Sequence, residues 1–319
     1  MTEQRPLDLE RITAAIQPLF SSRPTSIEPA SGGTYTSVYR IASSDQIFYL
    51  RLLPEAQEHF ATEAAVHTQL RRLQIKVPEV IHFERYNEVL QQSFMITTEI
   101  KGVPLSQSDT LSQSELQTIM REAGKDLARI NSLPVRGFGW MHELEATEPL
   151  SAPFSTHRAF ALRNWDKHLN TLASTILSAP EVIMLEQVLR CYDSWLNIED
   201  GSLVHGDFCE LHIYQEHGTY TGLIDFGAIQ GASRWYDLGF FHLRDGEHFS
   251  FRLEPSLVEG YGEVTALPTD YEQQIRFMSV LINTEILAEY LPEMSAQEKE
   301  QLLNVLRDDL VSLLETELL

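Results

Sequence analysis

Two aspartates, Asp207 and Asp225, stand eighteen positions apart in short motifs that could do chemistry. Asp207 closes a His-Gly-Asp triplet, and Asp225 opens an Asp-Phe-Gly triplet. Phosphoryl transfer needs one carboxylate to receive the proton of the attacking hydroxyl and another to hold Mg²⁺ against the phosphates. β-like residues flank both triplets, so a hairpin could direct both carboxylates at one phosphate. Either triplet alone would be an ordinary turn, but the ordered pair favours the catalytic interpretation.

The elements that would position these aspartates divide the chain into a small β-rich part and a larger helical part. Strands are predicted at 35–41, 47–53, 80–85 and 93–99, with a helix at 55–73. Helices are predicted at 111–133, 156–177, 180–196, 271–290 and 296–318, interrupted by a β-like island at 203–224. We therefore expect an α+β protein with an N-terminal lobe at residues 1–100, a C-terminal lobe at 101–319, and a ligand cleft between them.

The composition excludes several classes of protein. The chain has 319 residues, 43% hydrophobic and 22% charged, as in a globular protein with a full core. Its 24 basic and 46 acidic residues leave a net charge of −22, which argues against a nucleic-acid partner and would favour a cationic small molecule. The charged N-terminus, two cysteines and lack of an apolar run of about 18 residues predict a cytoplasmic protein without a membrane span.

Several other catalytic motifs are absent from the sequence. It contains no HExxH and no cysteine–histidine cluster with the expected zinc spacing. It also lacks the Gly-Lys-Ser/Thr phosphate loop and the Gly-x-Ser-x-Gly elbow. These absences argue against P-loop ATPases and α/β-hydrolases.

The two triplets follow each other as in protein kinases, which use H-R-D-x-x-x-x-N and then D-F-G. With His-Gly-Asp in the first position and a helix-rich second part, residues 25–290 resemble the aminoglycoside phosphotransferase family, which shares the protein-kinase-like fold with choline kinases. The resemblance implies a two-lobed fold that binds nucleotide in residues 1–100 and acts on substrate in 101–319. It also implies transfer of the γ-phosphate of ATP, with Mg²⁺, to a hydroxyl of an aminoglycoside-like, choline-like or sugar-like molecule.

The resemblance assigns roles to the charged residues. Asp207 would be the catalytic base or hydroxyl-orienting residue, and Asp225 the main Mg²⁺ ligand. Arg51 falls where the family usually has the lysine that contacts the α- and β-phosphates, with Glu63 on the following helix as its partner. Arginine keeps the charge and can bind phosphate through two donors. Asp237, in Tyr-Asp-Leu-Gly, is expected to cap a helix and is left out of the catalytic set.

Two further segments resemble parts of the family's nucleotide site. A turn between the first two strands would cover the phosphates, and its residues are Ser31, Gly32, Gly33 and Thr34. As a hairpin turn it would need no ligand, and it keeps only part of the G-x-G-x-x-G pattern. The segment 95–102 resembles the hinge that holds adenine, so the Thr98 carbonyl and the Ile100 amide would contact the base.

His212 departs from the pattern, because an asparagine that ligates metal through oxygen usually stands five positions after the aspartate. Magnesium prefers oxygen, whereas imidazole suits softer metals. His212 is therefore a candidate metal ligand that could instead contact a phosphate oxygen or a metal-bound water, or simply pack.

Three functions compete on this reading. An ATP- and Mg²⁺-dependent small-molecule kinase leads, and its substrate would be a hydroxyl compound, possibly cationic. Arg51 and His212 also permit a nucleotide-binding pseudokinase that regulates or binds a partner. A true protein kinase fits less well, because the chain lacks His-Arg-Asp and has no Ala-Pro-Glu after Asp225. The stretch from Gly227 to Tyr236 also leaves almost no room for an activation loop.

Overall fold

The computed structural model describes residues 9–30, 36–44, 46–54, 58–141 and 149–316. Its strands are β1 (Ser26–Pro29), β2 (Ser37–Ser43), β3 (Gln46–Leu52), β4 (Val80–Asn87), β5 (Gln92–Thr98), β6 (Val103–Pro104), β7 (Pro134–Arg136), β8 (Gly139–Trp140), β9 (Leu150–Ser151), β10 (Gly201–Val204), β11 (Ile213–Glu216), β12 (Thr219–Leu223) and β13 (Gln230–Ala232). Its α-helices are α1 (Leu9–Ile16), α2 (Ala61–Arg72), α3 (Gln113–Asn131), α4 (His157–Ala161), α5 (Trp165–Thr175), α6 (Ala179–Cys191), α7 (Tyr236–Arg244), α8 (Glu254–Val264), α9 (Tyr271–Tyr290) and α10 (Ala296–Thr316). Among these helices, none is long and apolar enough to cross a membrane.

A five-stranded antiparallel sheet forms most of the N-terminal part, in the order β1-β2-β3-β5-β4. Side chains alternate along β3, as the period of a strand requires. Leu50 and Leu52 are buried on one face, so Tyr49 and Arg51 point to the other. The strand therefore holds Arg51 on the face opposite its two buried leucines.

Helices cover both faces of this sheet. On one face, Ile16 of α1 belongs to the hydrophobic cluster that contains Leu50. On the other, Ala64 of α2 packs in a cluster with Met95, which lies opposite Arg51 in the β3–β5 register. Arg51 is thus on the side of the sheet that α2 covers.

Two small sheets in the C-terminal part carry the loops with the two aspartates. β10 pairs antiparallel with β13 and β7, and β11 pairs antiparallel with β12 and β6. β10 ends at Val204, three residues before Asp207, and β12 ends at Leu223, two residues before Asp225. Each aspartate therefore follows directly on a paired strand that fixes its loop.

The largest hydrophobic core links the helical part to α2. Its buried members extend from Val66 and Leu70 on α2 to Leu313 on α10, and they include Phe226. α9 packs against α5, α7 and α10 within this core. The helix that follows Arg51 is consequently packed in the same core as the Asp-Phe-Gly triplet.

The predicted α+β class is confirmed, with a β-rich N-terminal part and a helical C-terminal part. One predicted helix, 156–177, is instead divided into α4 and α5. The break puts the Arg163 guanidinium 4.3 Å from the centroid of Trp140 and 4.6 Å from that of Phe160, and it lets Arg163 pair with Glu285. These tertiary contacts outweigh the local helical pattern. The lobe boundary at residue 100 stays a prediction.

Candidate active site

The two loops place Asp207 and Asp225 close together, because a carboxylate oxygen of each lies within 3.7 Å of a His212 ring nitrogen. Their carboxylates are 43% and 41% exposed. His205 joins the loops, because its Nε2–H donates to the Ile224 carbonyl at 2.9 Å. The Asp207 amide donates to the other ring nitrogen at 3.3 Å, which fixes the neutral tautomer. Burial lowers the pKa of His205 and favours that neutral form.

Asp237 anchors the backbone of the Asp207 loop through its buried carboxylate. Its two carboxylate oxygens each accept a backbone amide at 2.9 Å, one from His205 and one from Gly206. Asn131 Nδ2 donates to the same carboxylate at 3.3 Å. The prediction that Asp237 caps a helix was wrong, because it lies inside the first turn of α7, where no side chain caps the amides. It holds the backbone of the loop that carries Asp207.

Glycine is required at position 206. Its φ of 85° is in the left-handed region. A Cβ there would also lie only 2.0 Å from the Ala228 carbonyl oxygen. The chain can turn so tightly next to Asp207 only because Gly206 has no side chain.

Asp225 also has left-handed backbone geometry, with φ 63° and ψ 64°. Aspartate tolerates this region better than most residues, because its short side chain can bond locally. Phe226 is fully buried beside it, and its ring centroid lies 4.6 Å from that of His205. The buried phenylalanine therefore holds the Asp225 carboxylate at the cleft.

Arg51 reaches this carboxylate from the sheet. It forms an ion pair with Glu63, the partner that the resemblance implied, and its other terminal nitrogen lies 3.5 Å from Asp225 Oδ1. Arg51 and Glu63 side chains are only 14% and 8% exposed. Burial alone would raise the pKa of Glu63 and of Asp225, but the Arg51 charge outweighs burial together with His67 at Glu63 and with His212 and His205 at Asp225, and both pKa values are lowered. Both carboxylates are therefore held ionised.

His212 lies between the two aspartates. Its Nδ1–H donates to the Asp207 carbonyl oxygen at 2.8 Å, and its Nε2 is 3.6 Å from Asp225 Oδ2. Burial lowers the pKa of His212, but Cys209 and the two carboxylates outweigh burial and raise it to about 10. The ring is thus held beside both groups as a cation.

A cavity of about 160 Å³ opens between the sheet and these loops. Arg51, Thr98 and Ile100 line it from the sheet side, and Ile224 and Asp225 line it from the loop side. The two hinge residues predicted to contact adenine therefore face the same cavity as the predicted phosphate-binding arginine. The predicted phosphate turn at 31–34 lies outside the described residues.

Sequence reasoning missed one side-chain cluster at this site. Asp207, Cys209 and His212 each offer a metal-ligating atom, and these atoms lie within 4.8 Å of one another. The statement that no cysteine–histidine cluster has zinc spacing was therefore incomplete. The signal was present in the sequence as Cys-x-x-His, which begins one residue after the His-Gly-Asp triplet.

Comparison with known proteins gives one family. Residues 26–276 match the model of the phosphotransferase enzyme family. This range includes both triplets and most of the described chain. No curated protein sequence matches the chain at a significant level.

Solved structures give the same fold at low sequence identity. A thermostable mutant of aminoglycoside phosphotransferase APH(4)-Ia, in a ternary complex with AMP-PNP and hygromycin B, is 16% identical, with a TM-score of 0.69, and the match covers 94% of this chain and 98% of that one. APH(2")-IIIa in complex with GDP and kanamycin is 15% identical, with a TM-score of 0.65 and coverage of 96% and 99%. A proposed fructosamine-3-kinase from Thermobifida fusca YX-ER1 is 17% identical, with a TM-score of 0.63 and coverage of 95% and 98%. The two-lobed, protein-kinase-like fold is therefore confirmed.

Proposed function

The chain belongs to the phosphotransferase enzyme family, and we propose that it transfers the γ-phosphate of ATP, with Mg²⁺, to a hydroxyl of a small molecule. One observation carries the proposal: Arg51 reaches Asp225, and Asp225 and Asp207 each lie within 3.7 Å of a His212 ring nitrogen, so three separate segments of the chain meet at one site. Phosphoryl transfer depends mainly on positioning and charge, and this set supplies both.

Asp207 would act on the acceptor. Its carboxylate is 43% exposed, so a hydroxyl can reach it. Backbone bonds from its loop to Asp237 fix the position of the carboxylate before substrate arrives. Asp207 would orient the attacking hydroxyl and accept its proton as the new bond to phosphorus forms.

Asp225 fits a magnesium ion by the chemistry of its donors. Magnesium in phosphotransferases commonly takes one or two carboxylates, substrate phosphates and water. Asp225 offers an ionised, 41% exposed carboxylate at the cavity edge. The ion would neutralise charge on the phosphates when bound. His212 offers nitrogen, which magnesium binds poorly, so we propose that His212 orients the two aspartates rather than holding magnesium.

Arg51 and the hinge residues would hold the nucleotide. Arg51 lines the cavity and is oriented by Glu63, so its free donors can meet phosphate oxygens. Thr98 and Ile100 line the same cavity, where an adenine ring would meet backbone groups. The solved complexes with AMP-PNP and with GDP are consistent with nucleotide use by this fold.

The acceptor is proposed at the level of a hydroxyl compound. The solved relatives carry hygromycin B and kanamycin, which supports a polyhydroxylated substrate. The acidic residues of helix α9 give weaker support for a cationic substrate. Glu285 is already paired with Arg163, and Glu289 lies 3.2 Å from His168 Nε2.

The pseudokinase alternative is not favoured. It would explain Arg51 and His212 as losses of function, but Arg51 keeps its pairing with Glu63 and reaches Asp225. Both aspartates are also retained and ionisable at the cleft. A pseudokinase would bind ATP without releasing ADP when an acceptor is present.

Melting temperatures measured with ATP, with and without Mg²⁺, test the proposal before any acceptor is known. ATP at a hundredfold over its dissociation constant adds about 2.7 kcal/mol, which raises the melting temperature by several degrees. We expect that shift in the wild type only with Mg²⁺, and a much smaller one in Asp225→Asn. Asparagine tolerates the left-handed backbone, so this variant should fold.

Asp207→Asn is the matched control, since it removes the same charge from the same cleft and should keep the Mg²⁺-dependent shift. Equal shifts in Asp225→Asn and wild type would contradict the metal role of Asp225. No shift with ATP in either condition would contradict nucleotide binding itself.

A further inference from the structure

A tight turn next to the proposed catalytic base brings a thiol and an imidazole together. The His212 amide donates to the Cys209 carbonyl at 3.0 Å, which closes the turn. Cys209 Sγ then lies 3.7 Å from His212 Nδ1. Asp207 Oδ2 lies 3.7 Å from the same Nδ1. A sulfur, a nitrogen and an oxygen atom from three side chains therefore lie within 4.8 Å of one another.

These separations suit a tetrahedral metal ion. Zinc bonds of about 2.3 Å to sulfur and about 2.0–2.1 Å to nitrogen or oxygen, at tetrahedral angles, put neighbouring ligand atoms about 3.5 Å apart. The two measured separations of 3.7 Å are close to that value. Three protein ligands would leave a fourth position for water.

The surroundings of His212 also suit metal binding through Nδ1. A metal-ligating histidine usually donates its other ring N–H to a carboxylate or carbonyl. Here Nε2 already faces Asp225 Oδ2 at 3.6 Å. Binding would break the 2.8 Å bond from Nδ1 to the Asp207 carbonyl. The Cys209 thiol and Nδ1 would each release a proton to solvent as their bonds to the metal form.

We propose that Asp207, Cys209 and His212 form a site for a thiophilic divalent cation, with Zn²⁺ as its representative, and that the bound cation switches off phosphoryl transfer. The cation would occupy the carboxylate that the acceptor hydroxyl needs. The inhibitory part rests on the proposed function, whereas the binding part does not. Asp207 is 43% exposed and gives the cation access, while Cys209 is buried behind it.

The donor set separates this site from the magnesium position. Thiolate and imidazole favour zinc and related metals, and magnesium avoids them. Mg²⁺ should therefore not displace Zn²⁺ from the cluster. The site is formed by local chain geometry, so it should bind without nucleotide.

Equilibrium dialysis of Zn²⁺ against the metal-free full chain, without ATP, tests binding. The key variant is Cys209→Ser, and the matched control is Cys191→Ser, which removes the exposed cysteine of α6. We expect one tightly bound Zn²⁺ per chain in wild type and Cys191→Ser. Cys209→Ser should weaken it by more than about 100-fold, since even second-shell changes cost about 10- to 100-fold. Co²⁺ in place of Zn²⁺ should give a thiolate-to-metal absorption band that disappears in Cys209→Ser alone.

Three results would overturn the site: no tight Zn²⁺, equal Zn²⁺ affinity in Cys209→Ser and wild type, or a cobalt–thiolate band that survives in Cys209→Ser. Activity is a separate measurement, in which buffered Zn²⁺ should inhibit ADP release by wild type and Cys191→Ser but not by Cys209→Ser at the same free concentration. Zinc bound through Cys209 without inhibition would overturn the inhibitory role and leave the site. A chain that has no phosphotransferase activity but still binds zinc through Cys209 would contradict the proposed function and leave the zinc site standing.

Discussion

Replacing Glu210 with glutamine should stabilise the protein above neutral pH. Glu210 follows Asp207 by three positions and is fully buried. Neither of its carboxylate oxygens has a hydrogen-bond partner among the described residues, and His248 Nδ1 lies 3.9 Å from Oε2. Burial raises the pKa of Glu210 from 4.5 to about 7. The folded chain therefore keeps a proton that the unfolded chain has lost.

The sign and the size of the Glu210 effect on stability follow from the difference between its pKa in the folded and in the unfolded chain. The pKa of the folded state is the higher one, so the favourable contribution is complete below pH 4.5 and is lost as the pH rises through about 7. A gap of roughly 2.5 pH units corresponds to about 3 kcal/mol. Glutamine cannot ionise, so Glu210→Gln should recover up to about 3 kcal/mol near pH 8 and little near pH 5.

Urea unfolding followed by tryptophan fluorescence at several pH values measures this effect. The wild type should lose stability between about pH 5 and about pH 8, and Glu210→Gln should lose much less. Glu216→Gln is the control, since it removes the same charge from an exposed position nearby. A Glu210→Gln protein whose stability falls with pH as steeply as the wild type's would refute the reasoning.

Three further predictions concern the site and its supports. Arg51→Met should lower the free energy of unfolding by about 3 kcal/mol in urea unfolding, because Glu63 stays buried without its partner. Arg51→Lys should recover most of this loss. Equal stability of wild type, Arg51→Met and Arg51→Lys would contradict the pairing. Asp237→Asn should lower the free energy of unfolding by about 1–3 kcal/mol and speed hydrogen exchange at the Gly206 amide, because an amide side chain offers one acceptor oxygen to two N–H groups. Unchanged exchange would argue against an anchoring role for Asp237. Burial alone would lower the pKa of His242, but two neighbouring carboxylates outweigh burial and raise this pKa to about 9. The contribution of His242 to stability should therefore be complete below about pH 6.5 and be lost as the pH rises through about 9. Unfolding of His242→Gln against wild type checks this, and a stability gap that widens with pH would contradict it.

The positions of the main residues of the candidate site were predictable because their signals are local. The two triplets and their β-like flanks indicated the positions of Asp207 and Asp225. The resemblance implied that Arg51 pairs with Glu63, and the structure shows this ion pair. Short motifs and their order along the chain indicate these residues, and tertiary contacts did not alter them.

The features that sequence reasoning missed depend on distant contacts. Asp237 read as a helix cap, but its partners His205 and Gly206 come from a loop some thirty positions earlier. The break before α5 depends on the rings around Arg163. Cys209 is different, because its spacing to the neighbouring histidine was visible, although no zinc motif of the usual length contains it.

Turnover by Asp207→Asn tests the central claim most directly. The variant would be compared with wild type for Mg²⁺-ATP affinity and for ADP release across a panel of hydroxyl acceptors. We predict unchanged nucleotide affinity, acceptor-dependent ADP release by wild type, and a loss of turnover of at least about 100-fold in the variant, as expected when a positioned base is removed. Acceptor-dependent ADP release by Asp207→Asn at the wild-type rate would contradict the account.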